Sequence, residues 1–379
     1  HGQLHPTRMS PIQFVRGGPA SNVNFASMRT MNDFLADAWP RLAARLPKTG
    51  LADLPTPVES HALRLDKQTF DVSVKRDDLT GKLYGGNKVR KLEYLLSRAG
   101  ARGANRIATF GTVGSNHALA TALYARSLGY DCTCFLSHQA PTPTIARTLR
   151  LHLANGTEIV RYGGGRGGRV ATLRDHLWQR RAFLIPPGGS NWLGAAGFVA
   201  AGLELAAQIH AGEIRKPERA YVANGTMATA VGLTLGLALA GLDTEVQAVQ
   251  VTEDFVSSPR AMQRLLEKTA LVLSRLDPSL PPDLADRARY EFRAGYLGEG
   301  YARSNEKTDA AVALAAAQLG LQLETTYTGK AFAALLDDLG DRGGDVLFWN
   351  TYNSRPLPDP DPGAVNSGGL PEDYLSYLE

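Results

Sequence analysis

The stretch "FDVSVKRDDLTGKLYGGNKVRKLEYLLSRAG", Phe70 to Gly100, decides the fold. Its first residues alternate apolar and polar as a strand does, its middle is a Gly-Gly-Asn turn, and from Lys88 onward apolar residues recur at helical spacing. The unit then repeats: strand "RIATFG" (106–111), helix "NHALATALYARSLG" (116–129), strand "DCTCFLS" (131–137). Outward from there run helix 144–156, strand 158–162, helix 170–181, strand 182–188 and a long helix over 195–209. A further cycle has strand 219–225, helix 229–241, strand 245–253, a helical and polar stretch over 260–320, helix 329–341 and strand 345–351. Strands separated by helices pair in parallel, which predicts an α/β fold with open, mostly parallel sheets flanked by helices.

A chain of 379 residues exceeds what one core usually holds, so two domains, or one large unit with a sub-domain, are expected. The net charge of +4 comes from 41 basic and 37 acidic residues without a long basic block. Nucleic acid is therefore not an expected partner, and anionic small molecules are. No apolar run is read as a membrane span. The start "HGQLHPTRMS" lacks the pattern of a secretory signal. Cys132 and Cys134 lie two apart on a strand, too close for an ordinary disulfide, which points to a cytoplasmic location. With His138 they could suggest a metal, but core packing is preferred and no metal is expected.

In open α/β sheets, ligands gather at the carboxyl ends of strands, where helix N-termini face outward. Four such corners carry unusual residues. Lys88 sits at a helix start, where the dipole disfavours an ammonium and favours a neutral, nucleophilic amine suited to Schiff-base chemistry; alternatively it is a solvated lysine beside a cap. Ser115 and Asn116 open the next helix and could hold a carboxylate or a phenolic oxygen, or simply cap it. His117 reads as a base or, preferably, a packed residue. "YVANGTMATAVGL" enters a helix through Asn224, Gly225 and Thr226, a phosphate site or a plain glycine turn. The fourth corner pairs Tyr327 and Thr328 with Thr351 beyond the last strand. "GGGRGG", Gly163 to Gly168, has the form of a dinucleotide fingerprint, yet the next strand lacks the acidic residue that would hold a ribose, so it reads as a loop.

Taken in order, these corners resemble the fold-type II pyridoxal-phosphate enzymes (tryptophan synthase β-like), in the branch containing D-cysteine desulfhydrase and 1-aminocyclopropane-1-carboxylate deaminase. "GGNKVRKLEYLL", "PPGGSNWLGAAGF" and "YTGKAFAALLDDL" carry the resemblance, which spans about residues 53 to 355. It implies an N-terminal extension over 1–50, a large cofactor domain of 51–92 and 198–379, a small domain of 93–197, and a homodimer. It implies that Lys88 forms the Schiff base with pyridoxal 5'-phosphate and later moves the Cα proton. Asn116 would contact the cofactor's phenolic oxygen, and Ser115 the substrate carboxylate or leaving region. Tyr327 would lie beside cofactor and substrate, with His117 and Thr328 near the substrate. Gly225, Thr226, Met227, Ala228 and Thr229 would form the phosphate loop, and Thr351 would meet the pyridine nitrogen.

The implied activity is α,β-elimination from a small, D-cysteine-like amino acid to a 2-oxo acid and ammonia. Several residues depart from the family pattern. Met227 and Ala228 replace the loop's two central glycines, Gly114 replaces a glutamine, and Asn350 to Asn353 replace His-Thr-Gly-Gly. Thr328 matches the desulfhydrase-like members, whereas cyclopropane deaminases carry glutamate there. The alternatives are β-replacement, a racemase or another deaminase of the same fold, a non-catalytic pyridoxal-phosphate binder, and a nicotinamide dehydrogenase built on "GGGRGG".

Overall fold

The computed structural model describes residues 33–163, 182–360 and 367–378. Two short helices, α1 (Phe34–Ala38) and α2 (Pro40–Arg45), precede the hairpin of β1 (Val58–Leu65) and β2 (Gln68–Lys75). Then follow α3 (Lys88–Ala101), β3 (Arg106–Thr112), α4 (Asn116–Ser127), β4 (Asp131–Ser137), α5 (Ile145–Ala154), β5 (Glu158–Arg161) and β6 (Ala182–Ile185). The second half holds α6 (Trp192–His210), β7 (Arg219–Asn224), α7 (Ala228–Leu239), β8 (Glu245–Gln250), α8 (Pro259–Leu276) and β9 (Tyr290–Arg293). It ends with α9 (Glu306–Leu319), α10 (Thr328–Arg342) and β10 (Val346–Trp349).

Two sheets result. The larger orders its strands β1-β2-β10-β7-β8-β9, and the smaller β5-β4-β3-β6. Among the described strands, β1 and β2 pair antiparallel and the other pairings are parallel. The last strand in sequence, β10, is inserted between β2 and β7, so the loop after it lies beside the loop that leads from β2 into α3.

Two strands were not expected from sequence. In β1 only Leu63 is buried, so its pattern offers no clean apolar alternation, and β9 is four half-buried residues at a sheet edge inside a polar stretch. Helix 170–181 and five of the six residues of "GGGRGG" lie outside the described residues.

Helix α3 buries Val89, Leu92, Leu95, Leu96 and Ala99 on one stripe. Its neighbour α6 is apolar nearly all round because it packs against both α3 and α7. This corrects the sequence reading of membrane spans: by length and composition Trp192–His210 could cross a bilayer, but almost all of it is buried as a core helix. Glycine sets how close these helices come. A methyl group on Gly197 would lie 2.2 Å from the Arg90 carbonyl, so the backbone of α6 rests directly on the segment that follows Lys88. The N-terminal α1 and α2 bury Phe34, Leu35 and Leu42 on this helical layer. Behind them, the Glu93 carboxylate accepts from the N–H groups of Leu51 and Ala52, both at 3.0 Å.

Candidate active site

The starts of α3, α4, α7 and α10 and the end of β10 line one cavity of about 370 Å³. Helix starts bring unpaired N–H groups and partial positive charge, so the cavity suits an anionic, multiply hydrogen-bonding ligand. Lys88, Ser115, Asn116, His117, Gly225, Thr226, Met227, Thr229, Tyr327, Thr328 and Thr351 all line it. Ala228 does not; its side chain is buried, and its N–H donates to Ser190 Oγ at 3.0 Å.

Lys88 is the first residue of α3, and Asn87 before it makes no side-chain cap. Instead Asn87 reaches sideways: Nδ2 donates to Thr229 Oγ1 at 3.0 Å, while Oδ1 accepts from Lys88 Nζ at 2.9 Å. The backbone before the lysine is fastened to the neighbouring strand exits. Gly86 N–H donates to Asp77 O at 2.8 Å and Asn87 N–H to Thr351 O at 3.1 Å. A Cβ on Gly86 would sit 2.7 Å from that Thr351 carbonyl, at a φ of +88°, so the Gly-Gly-Asn turn needs glycine for space as well as for conformation. Desolvation by the cavity walls lowers the Lys88 pKa to about 8, partly offset by the Glu324 carboxylate. A substantial fraction of the amine is therefore neutral at physiological pH.

Opposite Lys88, Ser115 caps α4 by accepting from Ala118 N–H at 3.2 Å. Asn116 Oδ1 accepts from the Tyr84 hydroxyl at 3.3 Å. Burial keeps that phenol protonated, its pKa raised well above the ordinary value. His117 packs as the sequence suggested: Nε2 lies 2.9 Å from Thr109 Oγ1, whose own proton goes to Ile185 O, so Nε2 is the donor. Burial, reinforced by Lys88 and Lys91, pushes its pKa well below the ordinary value and keeps the ring neutral.

The α7 start has no side-chain cap, and Met227 before it adopts φ +71°, the left-handed region that glycine takes without strain. The loop thus keeps a glycine-like backbone despite having lost its glycine. Met227→Gly should stabilise the protein by up to about 1 kcal/mol in urea unfolding. A loss instead would mean that the packing of the methionine side chain outweighs the backbone strain. Across from this loop, Lys91, one turn beyond Lys88, is buried with Nζ 3.2 Å from Gly188 O. Its pKa is pushed well below the ordinary value by burial and then by Lys88.

At α10, the Glu324 carboxylate caps the helix, with Oε1 accepting from Tyr327 and Thr328 N–H and Oε2 from Thr326 N–H, each at 2.8 Å. Thr328 Oγ1 lies 3.1 Å from Glu324 Oε1 and accepts from Glu324 N–H at 3.0 Å, so that threonine is committed to the cap. The Tyr327 hydroxyl is hydrogen-bonded to that of Tyr301. Burial raises both pKa values, leaving two protonated phenols in contact. Asn353 accepts from Gly85 N–H at 2.6 Å, joining the loop after β10 to the turn before Lys88.

Sequence reasoning passed over Lys91, Tyr84, Tyr301 and Glu324. Lys91 had a visible signal: it lies one turn after Lys88, on the same side of the helix. Glu324 precedes the Tyr-Thr corner by three residues, the spacing of a local cap. Tyr301 had no signal, since it stands in a polar stretch with no periodic pattern.

A family profile described as "Pyridoxal-phosphate dependent enzyme" matches residues 51–351. The chain is 33% identical to the nocardicin C-9' epimerase of Nocardia uniformis subsp. tsuyamanensis, over 88% of this chain and 99% of that protein. It is 32% identical to the D-cysteine desulfhydrase of Serratia proteamaculans, over 83% and 96%. Among solved structures, an ACC deaminase homologue superposes with a TM-score of 0.67 at 26% identity, covering 92% of this chain and all of the other.

Proposed function

This chain belongs to the pyridoxal-phosphate-dependent enzymes, and from that premise we propose that it removes the Cα proton of an amino acid and eliminates a β-substituent, yielding a 2-oxo acid and ammonia. The residues present fit the cofactor. A helix start whose N-cap residue, Met227, offers no side-chain acceptor and the buried Lys91 suit its phosphate, the depressed-pKa amine of Lys88 suits its aldehyde, and Thr351 offers a neutral hydroxyl to its ring. When bound, pyridoxal phosphate supplies the electron sink that acidifies the Cα proton.

The observation that carries the reading is that a base and an acid share one cavity. Lys88 is a lysine poised near neutrality, and Tyr327 is a phenol held protonated against Tyr301. Lys88 takes the Cα proton, the Cβ–X bond breaks, and the leaving group takes a proton from the tyrosine pair. Hydrolysis of the released enamine gives the 2-oxo acid and ammonia. Ser115 and Asn116, at the α4 start, bind the substrate carboxylate. Hydroxyl recognition by Thr351 leaves the ring nitrogen without an acidic partner, which favours prompt elimination over long-lived carbanion character.

A second reading, epimerisation, is supported by the nocardicin C-9' epimerase likeness and by the cavity's aromatic side. Phe110 and Tyr162 sit with ring centroids 5.0 Å apart, and Phe255, 88% exposed, stands at the rim. These surfaces suit a bulkier, aromatic amino-acid derivative, to which Tyr327 would return the proton that Lys88 removes.

The test is incubation of the cofactor-loaded enzyme with D-cysteine, L-cysteine, D-serine, 1-aminocyclopropane-1-carboxylate and D-4-hydroxyphenylglycine. Assays follow 2-oxo acid, ammonia and enantiomeric composition in deuterated water. 2-Oxo acid formation from a β-substituted substrate is the expected result. Deuterium incorporation with inversion and no ammonia would replace it by the epimerase reading. Observing neither 2-oxo acid formation from any of the five nor Cα exchange with the four that carry a Cα proton would defeat both.

A further inference from the structure

We propose that Gln139 is a positioning residue for the turn that presents Ser115 and Asn116, held in place in its turn by the C-terminal segment. The inference rests on the reading above that this turn meets the substrate. Gln139 follows β4, in the loop beside the end of β3, and its side chain reaches across to residues 112–114. Its Oε1 accepts from Gly114 N–H at 3.2 Å and from the Thr112 hydroxyl. A backbone N–H can only donate, so this bond fixes which end of the amide is oxygen, and Thr112 must then be the donor in its own bond.

Gly114 is not glycine for conformational reasons, because its φ lies outside the left-handed region. Space explains it. A Cβ at 114 would stand 2.9 Å from Gln139 Nε2, 3.1 Å from Oε1 and 3.2 Å from Cδ, so the amide occupies the room a side chain there would use. The rest of the turn is tied by Val113 N–H to Ser137 O and Ser115 N–H to Thr112 O, both at 2.9 Å. Thr112 lines the cavity and also interacts with Tyr301. One amide oxygen therefore supports both the carboxylate-binding turn and the tyrosine pair.

Gln139 is anchored from outside. The Tyr377 hydroxyl donates to its carbonyl at 3.0 Å, and the buried Tyr374 donates to Leu136 O at 2.7 Å. His138 completes the clamp, with Nε2 2.9 Å from Asp373 and Nδ1 3.0 Å from the Tyr377 hydroxyl. The C-terminal 3-10 turn, Glu372–Tyr377, thus sits on the loop that braces the site.

The test uses the full, cofactor-loaded chain. Gln139→Ala should leave the cofactor bound and speed amide hydrogen exchange in a peptide spanning 112–116 by about tenfold. It should also raise KM for whichever amino acid turns over by about tenfold, with kcat within about threefold. Gln139→Glu keeps the acceptor and should restore most of both effects. Gly114→Ala, whose methyl displaces the amide, should reproduce Gln139→Ala, and the double variant should be no worse than either single one. Unchanged exchange in Gln139→Ala, or additive effects in the double variant, overturns the proposal. The exchange readout needs no substrate, so an enzyme without turnover would defeat the functional reading and still decide this one.

Discussion

Lys88→Ala should lower turnover by about 10³-fold or more and remove the visible absorbance of the lysine-linked cofactor, while the circular dichroism and unfolding midpoint stay close to those of the parent. The fold should survive because the side chain makes a single short polar contact, with Asn87 at 2.9 Å. The helix start itself is held by the Gly86 and Asn87 backbone bonds, which the substitution leaves intact. An unchanged absorbance spectrum would remove Lys88 from the chemistry. The same amine sets a pH dependence. Burial lowers its pKa to about 8, so the neutral, reactive form grows as pH rises through that value. Capture of added cofactor by the apoenzyme should accelerate over the same window, with a midpoint near pH 8. A profile that is flat between pH 7 and pH 9 would contradict the lowered pKa.

Glu204→Ala should cost about 3–5 kcal/mol of unfolding free energy in denaturant titration, the largest stability effect expected from a single side chain here. Glu204, Lys75, Arg90 and Asp77 are all fully or almost fully buried, two carboxylates against two cations. Glu204 Oε1 accepts from Lys75 Nζ at 2.5 Å and Oε2 from Arg90 Nη1 at 2.8 Å. Arg90 is bidentate to Asp77, at 2.9 and 2.7 Å. Burial, reinforced by Arg90, pulls the Lys75 pKa down, but its ammonium has three acceptors, Glu204, Gln208 Oε1 and Thr56 O, so we take it as charged. Removing Glu204 would leave an unbalanced positive charge in the interior.

The pH dependence has a definite sign. Burial raises the Glu204 pKa, but Arg90 and Lys75 outweigh it and bring it to about 2, below the ordinary value of 4.5. The group binds fewer protons folded than unfolded, so its contribution is complete above pH 4.5 and is lost as pH falls through about 2. Glu204→Gln should flatten that part of the acid-unfolding curve. A stability change below about 1 kcal/mol in Glu204→Ala would mean that the network is not held as a charged unit. Arg90 lies two residues beyond Lys88, so loosening of the network should also be read in cofactor affinity.

The parallel architecture was legible because it is written in local period. Strand, turn and helix repeat from Phe70 onward, and the loops between them fall where parallel sheets place their ligand corners. Lys88, Ser115 and Asn116, at strand-to-helix corners, and Tyr327, in the connection between α9 and α10, were legible as positions for a related reason: each stands inside a short contiguous motif. The antiparallel β1 was not, because a half-exposed edge strand lacks a clean alternation of burial. Met227 shows another boundary. It stands where the family pattern has glycine, and the fold holds it in the left-handed conformation that glycine would take.

By itself, then, the sequence determined the α/β class, the corner at which Lys88 stands and the family likeness, since all three depend on residues adjacent along the chain. Only the tertiary structure decided what surrounds that lysine. Insertion of β10 between β2 and β7 brings Thr351 to Asn87, the loop before α10 brings Glu324 within electrostatic reach of Lys88, and the loop after β4 brings Gln139 to Gly114. These partners lie tens to hundreds of residues apart in the chain. Their meeting depends on strand order and on side chains crossing between elements, which no local period encodes.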